Sequence, residues 1–460
     1  MERYPWFKRQ VPILALLSLL VVVGISLTKE AMELEDAEQA YYSQWWRWGY
    51  DDQPPLYTWL QIGLNQLIGI SKVSFSLLRG SIFASILFVL FALSKAYLQD
   101  KDKAVWTVLM LLCVPVFIDF TFRRLSHTAL LCLVMLLTYC AVLRLIRKKD
   151  LLGYLLLGTI LGIGILTKYN YALFMAALGF SALVDKGIRE ILWHRYIWIT
   201  GGVLAVLTYP HLQWLVQNQN YVTELRESIV AKTGNTDPQG ILFITPFISY
   251  SLTLLKLSGY LVGCTALLVA LRKWRLKMGT RDWFYTLFVS QLTTLLLFFV
   301  VLHVQKVETR WLLPLFLPFM PLLARRIHIP DSKKWSAIGF YAFLAVLGLQ
   351  LIRTPAEKVL GIPSDVHFGF SPISEKLRKD YDTMQWVLPD VTYGGNIRLL
   401  NPDREIFSMD DFSLPSEKMN FRKKVWIQMK AHKGNGKKYR PLDSLGAFGR
   451  KKQMLFFYAD

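Results

Sequence analysis

The sequence predicts a polytopic α-helical membrane protein with a small α/β domain at its C-terminal end. Three observations carry this reading. Hydrophobic residues make up 53% of the 460, and mean hydropathy is +0.33. They fall in long blocks, most of them about long enough to cross a bilayer as a helix. Lys and Arg gather in every second connection between blocks, the charge pattern of a fixed membrane topology.

The first block, 11 to 28, has no small-residue cleavage site and is followed by many more, so it reads as an uncleaved first span. Further spans are expected at roughly 73 to 98, 104 to 122, 125 to 147, 150 to 166, 169 to 185, 196 to 216, 252 to 271, 283 to 302, 309 to 325 and 335 to 352, about eleven in all. Segment 150 to 166 is the weakest. It is short and carries Gly153, Gly158, Gly162 and Gly164, which suits close packing on a neighbour or a re-entrant path.

The basic groups are Arg3, Lys8 and Arg9; Lys101 and Lys103; Arg144, Arg147, Lys148 and Lys149; Lys186, Arg189 and Arg195; Arg272, Lys273, Arg275, Lys277 and Arg281; and Arg325, Arg326, Lys333 and Lys334. The positive-inside rule puts these, and the N-terminus, in the cytoplasm. An odd span count then places loops 29 to 72 and 217 to 251, and everything after Arg353, on the outer side.

In loop 29 to 72, the run 37 to 48 carries Tyr41, Tyr42, Trp45, Trp46 and Trp48, rings that favour the headgroup level, so a helix along the interface is expected there. A second is expected after Pro55. The membrane unit is 1 to 352. The polar tail, 353 to 460, has short β-type runs at 391 to 393, 405 to 408, 425 to 429 and 454 to 458, separated by turn residues, and reads as one small domain.

The net charge of +20 does not imply nucleic acid, because the cations between spans are the topology signal and leave no stripe to track a phosphate backbone. Cys113, Cys132, Cys140 and Cys264 lie within predicted spans without CxxC spacing, as buried apolar residues do.

Glu35, Asp36, Glu38, Asp51 and Asp52, with Pro54 and Pro55, follow directly on the first span. Carboxylates beside hydrocarbon are costly unless they face protein or water, so this loop is the candidate site, with a merely solvated loop as the plain alternative. The acidic pair, the aromatic interfacial helix, the Gly49-Tyr50-Asp51-Asp52-Gln53-Pro54-Pro55-Leu56 turn, Thr167-Lys168-Tyr169-Asn170-Tyr171 and Arg310-Trp311-Leu312-Leu313-Pro314 together resemble the bacterial GT-C membrane glycosyltransferases of family 39 type. These are related to the protein O-mannosyltransferases and the aminoarabinose transferase of lipid A. The resemblance implies a GT-C fold in the bacterial inner membrane with a periplasmic active site. It also implies transfer of a sugar, with inversion, from a polyprenyl (undecaprenyl) phosphate to a hydroxyl of lipopolysaccharide, another envelope glycan or a protein.

Such a site needs a carboxylate to take the acceptor proton, cations to stabilise the departing phosphate, and an apolar groove for the lipid tail. By the resemblance, Asp36 is the first choice of base and Glu35 the second, since the family's Asp-Glu-Ala stands here as Glu35-Asp36-Ala37. Asp52 would orient the acceptor or help hold a cation, or else cap the Pro54-Pro55 turn. Lys168 and Arg310, then Lys306, Arg123 and Arg124, are the phosphate candidates, each with headgroup snorkelling as its plain alternative. Arg124 stands where relatives carry an acid, and Asp119, the nearest carboxylate, lies most of a turn deeper; this weakens a two-carboxylate site for a divalent metal and favours an altered donor, a metal-free mechanism or lost activity. A lipid or solute transporter and a catalytically inactive scaffold are the competing classes; the first would favour ionisable residues buried within spans.

Overall fold

The computed structural model describes residues 9–233, 244–271, 275–276, 281–329, 332–362, 364–414, 423–429, 443–448 and 452–459. Arg3, Lys8, Arg272, Lys273 and Lys277 of the topology pattern lie outside them. The helices are α1 (Gln10–Thr28), α2 (Leu34–Tyr42), α3 (Leu56–Ile68), α4 (Lys72–Leu98), α5 (Lys101–Leu109), α6 (Pro115–Arg123), α7 (His127–Arg147), α8 (Leu151–Thr167), α9 (Tyr171–Val184), α10 (Lys186–Leu192), α11 (Ile197–Gln217), α12 (Gln219–Thr233), α13 (Ile244–Ala270), α14 (Trp283–Val301), α15 (Thr309–Arg326), α16 (Ser332–Val359), α17 (Ser371–Tyr381) and α18 (Val391–Leu400). The strands are β1 (Arg275–Leu276), β2 (Ile327–His328), β3 (Gln385–Leu388), β4 (Ile406–Ser408), β5 (Lys424–Gln428), β6 (Asp443–Phe448) and β7 (Lys452–Ala459).

This is a multi-pass helical membrane protein with a small C-terminal sheet. Each of the eleven predicted segments is helical, and among the described residues six helices are long and apolar enough to cross a bilayer, or eight if two bent pairs each count as one. One departure is at 104 to 122, expected as a single span. Pro115 cannot continue the preceding helix and pushes Val114 out of helical geometry, so the segment breaks into α5 and α6 with a 79° bend. The bend brings Arg123 and Ser126 to the end of the bundle where α2 lies.

The glycines of α8 mark close packing. A Cβ at Gly158 would stand 2.7 Å from the Thr200 carbonyl oxygen of α11, and one at Gly164 would enter the Tyr171 ring at 2.1 Å. That contact fixes the α8–α9 corner bearing Lys168.

In the first loop, α2 is shorter than the expected helix over 37 to 48. The chain leaves helical geometry because the C-terminal domain claims the next residues: Gln44 Nε2 donates to the Ile406 carbonyl at 3.1 Å and Trp45 Nε1 to Glu405 at 3.0 Å. The helix expected after Pro55 is α3. In the 217 to 251 connection, α12 and the start of α13 are helical, while 234–243 lie outside the described residues.

The tail is an α/β unit whose sheet runs β4-β3-β5-β7-β6, with β3 parallel to β4 and β5, and β7 antiparallel to both its neighbours. The run 391 to 393, expected as a strand, instead opens α18. Asp390 accepts from the Tyr393 backbone N–H at 2.9 Å, and this N-cap outweighs a short β-branched run. Gly394 and Gly395 then let α18 press on α2: a Cβ at Gly395 would stand 1.8 Å from the Ala37 carbonyl oxygen. Helix α16 runs on to Val359, past the expected unit boundary at 352.

Candidate active site

Helix α2 lies across the ends of α4 and α7, and its neighbouring carboxylates go different ways. Asp36 is buried, 4% exposed, and its Oδ2 accepts from Arg79 Nη2 of α4 at 2.7 Å. Arg79, 1% exposed, also donates to the Arg123 carbonyl at 3.0 Å. Glu35 is half-buried, and its Oε2 accepts from both the Ser126 backbone N–H at 2.5 Å and the Ser126 hydroxyl at 2.6 Å. One turn on, Gln39 binds His127 Nε2 at 3.1 Å and accepts from Thr58 at 2.9 Å, so α2 is fixed to α7 at two levels.

Asp52 sits in a tight turn closed by two backbone hydrogen bonds between Tyr50 and Gln53, with Asp51 at φ +47°; the Gln53 amide donates to Asp52 at 2.9 Å. Lys168 donates to the Thr128 hydroxyl at 2.8 Å. Enclosure by protein lowers the pKa of its ammonium below the ordinary value of 10.5; Glu35 and Asp52 act against that shift, and Arg310 adds to it. Lys168 is therefore within electrostatic reach of two carboxylates and a second cation from three other segments. Tyr169 and Tyr221 close a further side, hydroxyl to hydroxyl at 3.3 Å. A small apolar slot of about 30 Å³, room for about one water molecule, is lined by Leu131, Asn170, Tyr171, Gln291 and Trp311.

Of the other predicted residues, Lys306 is exposed and paired with Glu308 at 2.9 Å. Arg123 is buried and turned to α16, donating to Gln350 and Thr354 at 3.0–3.2 Å. Arg124 is exposed at the end of α6. Asp119 is held by Arg353 at 2.6 Å, on the α16 side. Among the described residues no group of three or more His, Cys, Asp or Glu stands where it would hold a metal ion, so the residues present do not fit a protein-held metal.

Sequence reasoning missed Arg79, Ser126 and Thr128. Arg79 had a signal, as a cation inside an apolar run that carries no other until Lys95 near its far end, which demands a buried partner.

The family model described as dolichyl-phosphate-mannose-protein mannosyltransferase matches residues 52–214. Two lipopolysaccharide core galacturonosyltransferases of Rhizobium johnstonii are similar along most of their length. RgtB is 27% identical over 84% of this chain and 80% of its own, and RgtA is 24% identical over 84% and 79%. A crystal structure of ArnT from Cupriavidus metallidurans bound to undecaprenyl phosphate shares the fold, with TM-score 0.63 at 14% identity over 96% of this chain and 97% of that one. The resemblance to the GT-C membrane glycosyltransferases holds. The family match takes in Asp52 and Lys168 but stops short of Glu35, Asp36 and Arg310.

Proposed function

We propose that this chain transfers a sugar, with inversion, from a polyprenyl phosphate to a hydroxyl of lipopolysaccharide, at the periplasmic face of a bacterial inner membrane that it crosses about eleven times. The observation that supports the reading is the carboxylate of Glu35, held on one oxygen by Ser126 at the start of α7 and within electrostatic reach of Lys168, which itself donates to Thr128 in the first turn of the same helix. Lys168 and Arg310 stabilise the charge growing on the departing lipid phosphate. From the C-terminal unit, α18 packs on α2 at this end of the bundle.

Glu35 replaces Asp36 as the first choice of base. Its Oε2 holds both hydrogen bonds from Ser126, which leaves Oε1 for the acceptor hydroxyl, whereas Asp36 is occupied by Arg79. Asp52 orients the acceptor and keeps Lys168 charged. Because RgtB and RgtA are named as lipopolysaccharide core galacturonosyltransferases, a uronic sugar on the core is the first product to seek.

The test is mass spectrometry of lipopolysaccharide from cells lacking the gene, complemented with wild type or Glu35→Gln. Loss of one sugar-sized mass, restored by wild type and not by a well-expressed Glu35→Gln, is the expected result. An unchanged glycan profile in the knockout would overturn the transferase reading.

A further inference from the structure

Helix α7 begins beside the candidate active site and ends at Arg147, and its 21 residues rise roughly 30 Å, the thickness of a bilayer's hydrocarbon core. At that far end the tips of α4, α5, α7, α14 and α15 surround a recess of about 400 Å³, within the roughly 300–1,000 Å³ range of small-ligand sites. Cations reach it from three directions: Lys103 on the first turn of α5, Arg147 at the end of α7, and Arg325 at the end of α15. Arg325 is bound to Asp282 and donates to the Tyr97 hydroxyl at 2.7 Å, and Tyr97 in turn donates to Asp282 at 2.9 Å, so this trio is charge-balanced and forms a rigid wall. Arg147 donates to the Ala96 carbonyl, and among the described residues neither Arg147 nor Lys103 has a carboxylate partner. Trp283 and Leu143 supply an apolar side.

Cations serving only as topology markers would spread into the headgroup layer. Here they converge on one concave recess, where among the described residues Lys103 and Arg147 form no ion pair. We propose that this recess binds the phosphate headgroup of an anionic glycerophospholipid, with Lys103 and Arg147 as the phosphate contacts and the acyl chains running outward along the apolar wall. The site lies a full membrane thickness from the sugar-transfer site and does not depend on that activity.

The full-length protein in phosphatidylcholine nanodiscs, with and without phosphatidylglycerol, tests this by native mass spectrometry of retained lipid. Wild type is expected to retain phosphatidylglycerol, with retention weakening roughly fivefold for each cation removed in Lys103→Gln and Arg147→Gln. The charge-conserving pair Lys103→Arg and Arg147→Lys should keep it, which separates loss of charge from loss of fold. Equal retention by wild type and a folded Lys103→Gln/Arg147→Gln double variant would overturn the site. If that double variant is not recovered, Lys103→Gln alone carries the same comparison. Displacement of the lipid by millimolar inorganic phosphate would make the recess a site for soluble anions and overturn the lipid assignment.

Discussion

Glu35 and Asp36 follow one another on α2, roughly 100° apart around the helix axis, and that rotation separates a carboxylate able to react from one that holds the fold. Asp36 points into protein and meets Arg79, a buried cation with nowhere else to place its charge. Glu35 points to the end of α7, takes two neutral donors from Ser126 on a single oxygen, and shares its surroundings with Lys168. A carboxylate locked to a buried arginine is poorly suited to taking a proton from an incoming hydroxyl. On the proposed reading, accessibility and spare hydrogen-bonding capacity, more than residue type, select the base.

The sharpest way to break this comparison is to neutralise each member. Glu35→Gln should lower transfer by about 10²–10⁴-fold, the usual range for losing a general base, while leaving thermal stability in detergent close to wild type. Near-normal turnover by Glu35→Gln would return the base to Asp36 or Asp52. Asp36→Ala should instead destabilise the protein by about 3–5 kcal/mol, because Arg79 is left buried without its carboxylate. Combining it with Arg79→Leu should give back much of that loss, since the two residues act as a unit. An Asp36→Ala protein of wild-type stability that cannot transfer sugar would reverse the two roles.

A subtler variant shifts α2 without touching either acid. Gly395→Ala forces a methyl group against the Ala37 backbone and should destabilise by about 1–3 kcal/mol, lowering activity through displacement of Glu35. Gly63→Ala on α3, where nothing stands within 4 Å of the new atom, is the matched control and should be neutral or nearly so in packing terms. Equal behaviour of the two variants would show that the α2–α18 contact does not position the site.

The helices of the bundle were legible because bilayer-length apolar blocks leave few alternatives, and even the doubtful Gly-rich segment became a helix, α8, packed against α11. Legibility ended where tertiary contacts decide. Trp45 to Trp48 have the rings of an interfacial helix, yet the C-terminal domain pulls the chain aside, and Asp390 turns a β-looking run into α18. In the candidate site, Lys168 and Arg310 stood out by motif, and Arg310 is one of the charges that act on Lys168. The ordering of Glu35 and Asp36 did not show, because it depends on which faces Arg79 and which faces Ser126, and those lie 43 and 91 residues away.

The smallest expected effect concerns Lys168, whose charge the proposed donor site requires. Its pKa lies below the ordinary 10.5 because enclosure penalises the ammonium, so donor binding should hold below that lowered pKa and fall as pH rises through it, earlier than for an exposed lysine. Lys168→Arg keeps a cation that stays protonated throughout the accessible range, so the alkaline fall should move up or vanish even if geometry weakens binding at every pH. In Glu35→Gln the carboxylate that supports the ammonium is gone, and the fall should come at still lower pH. Donor binding measured against pH in the three proteins reads both shifts. A limb that stays in place in Lys168→Arg would assign it to another group and leave Arg310 as the main phosphate contact.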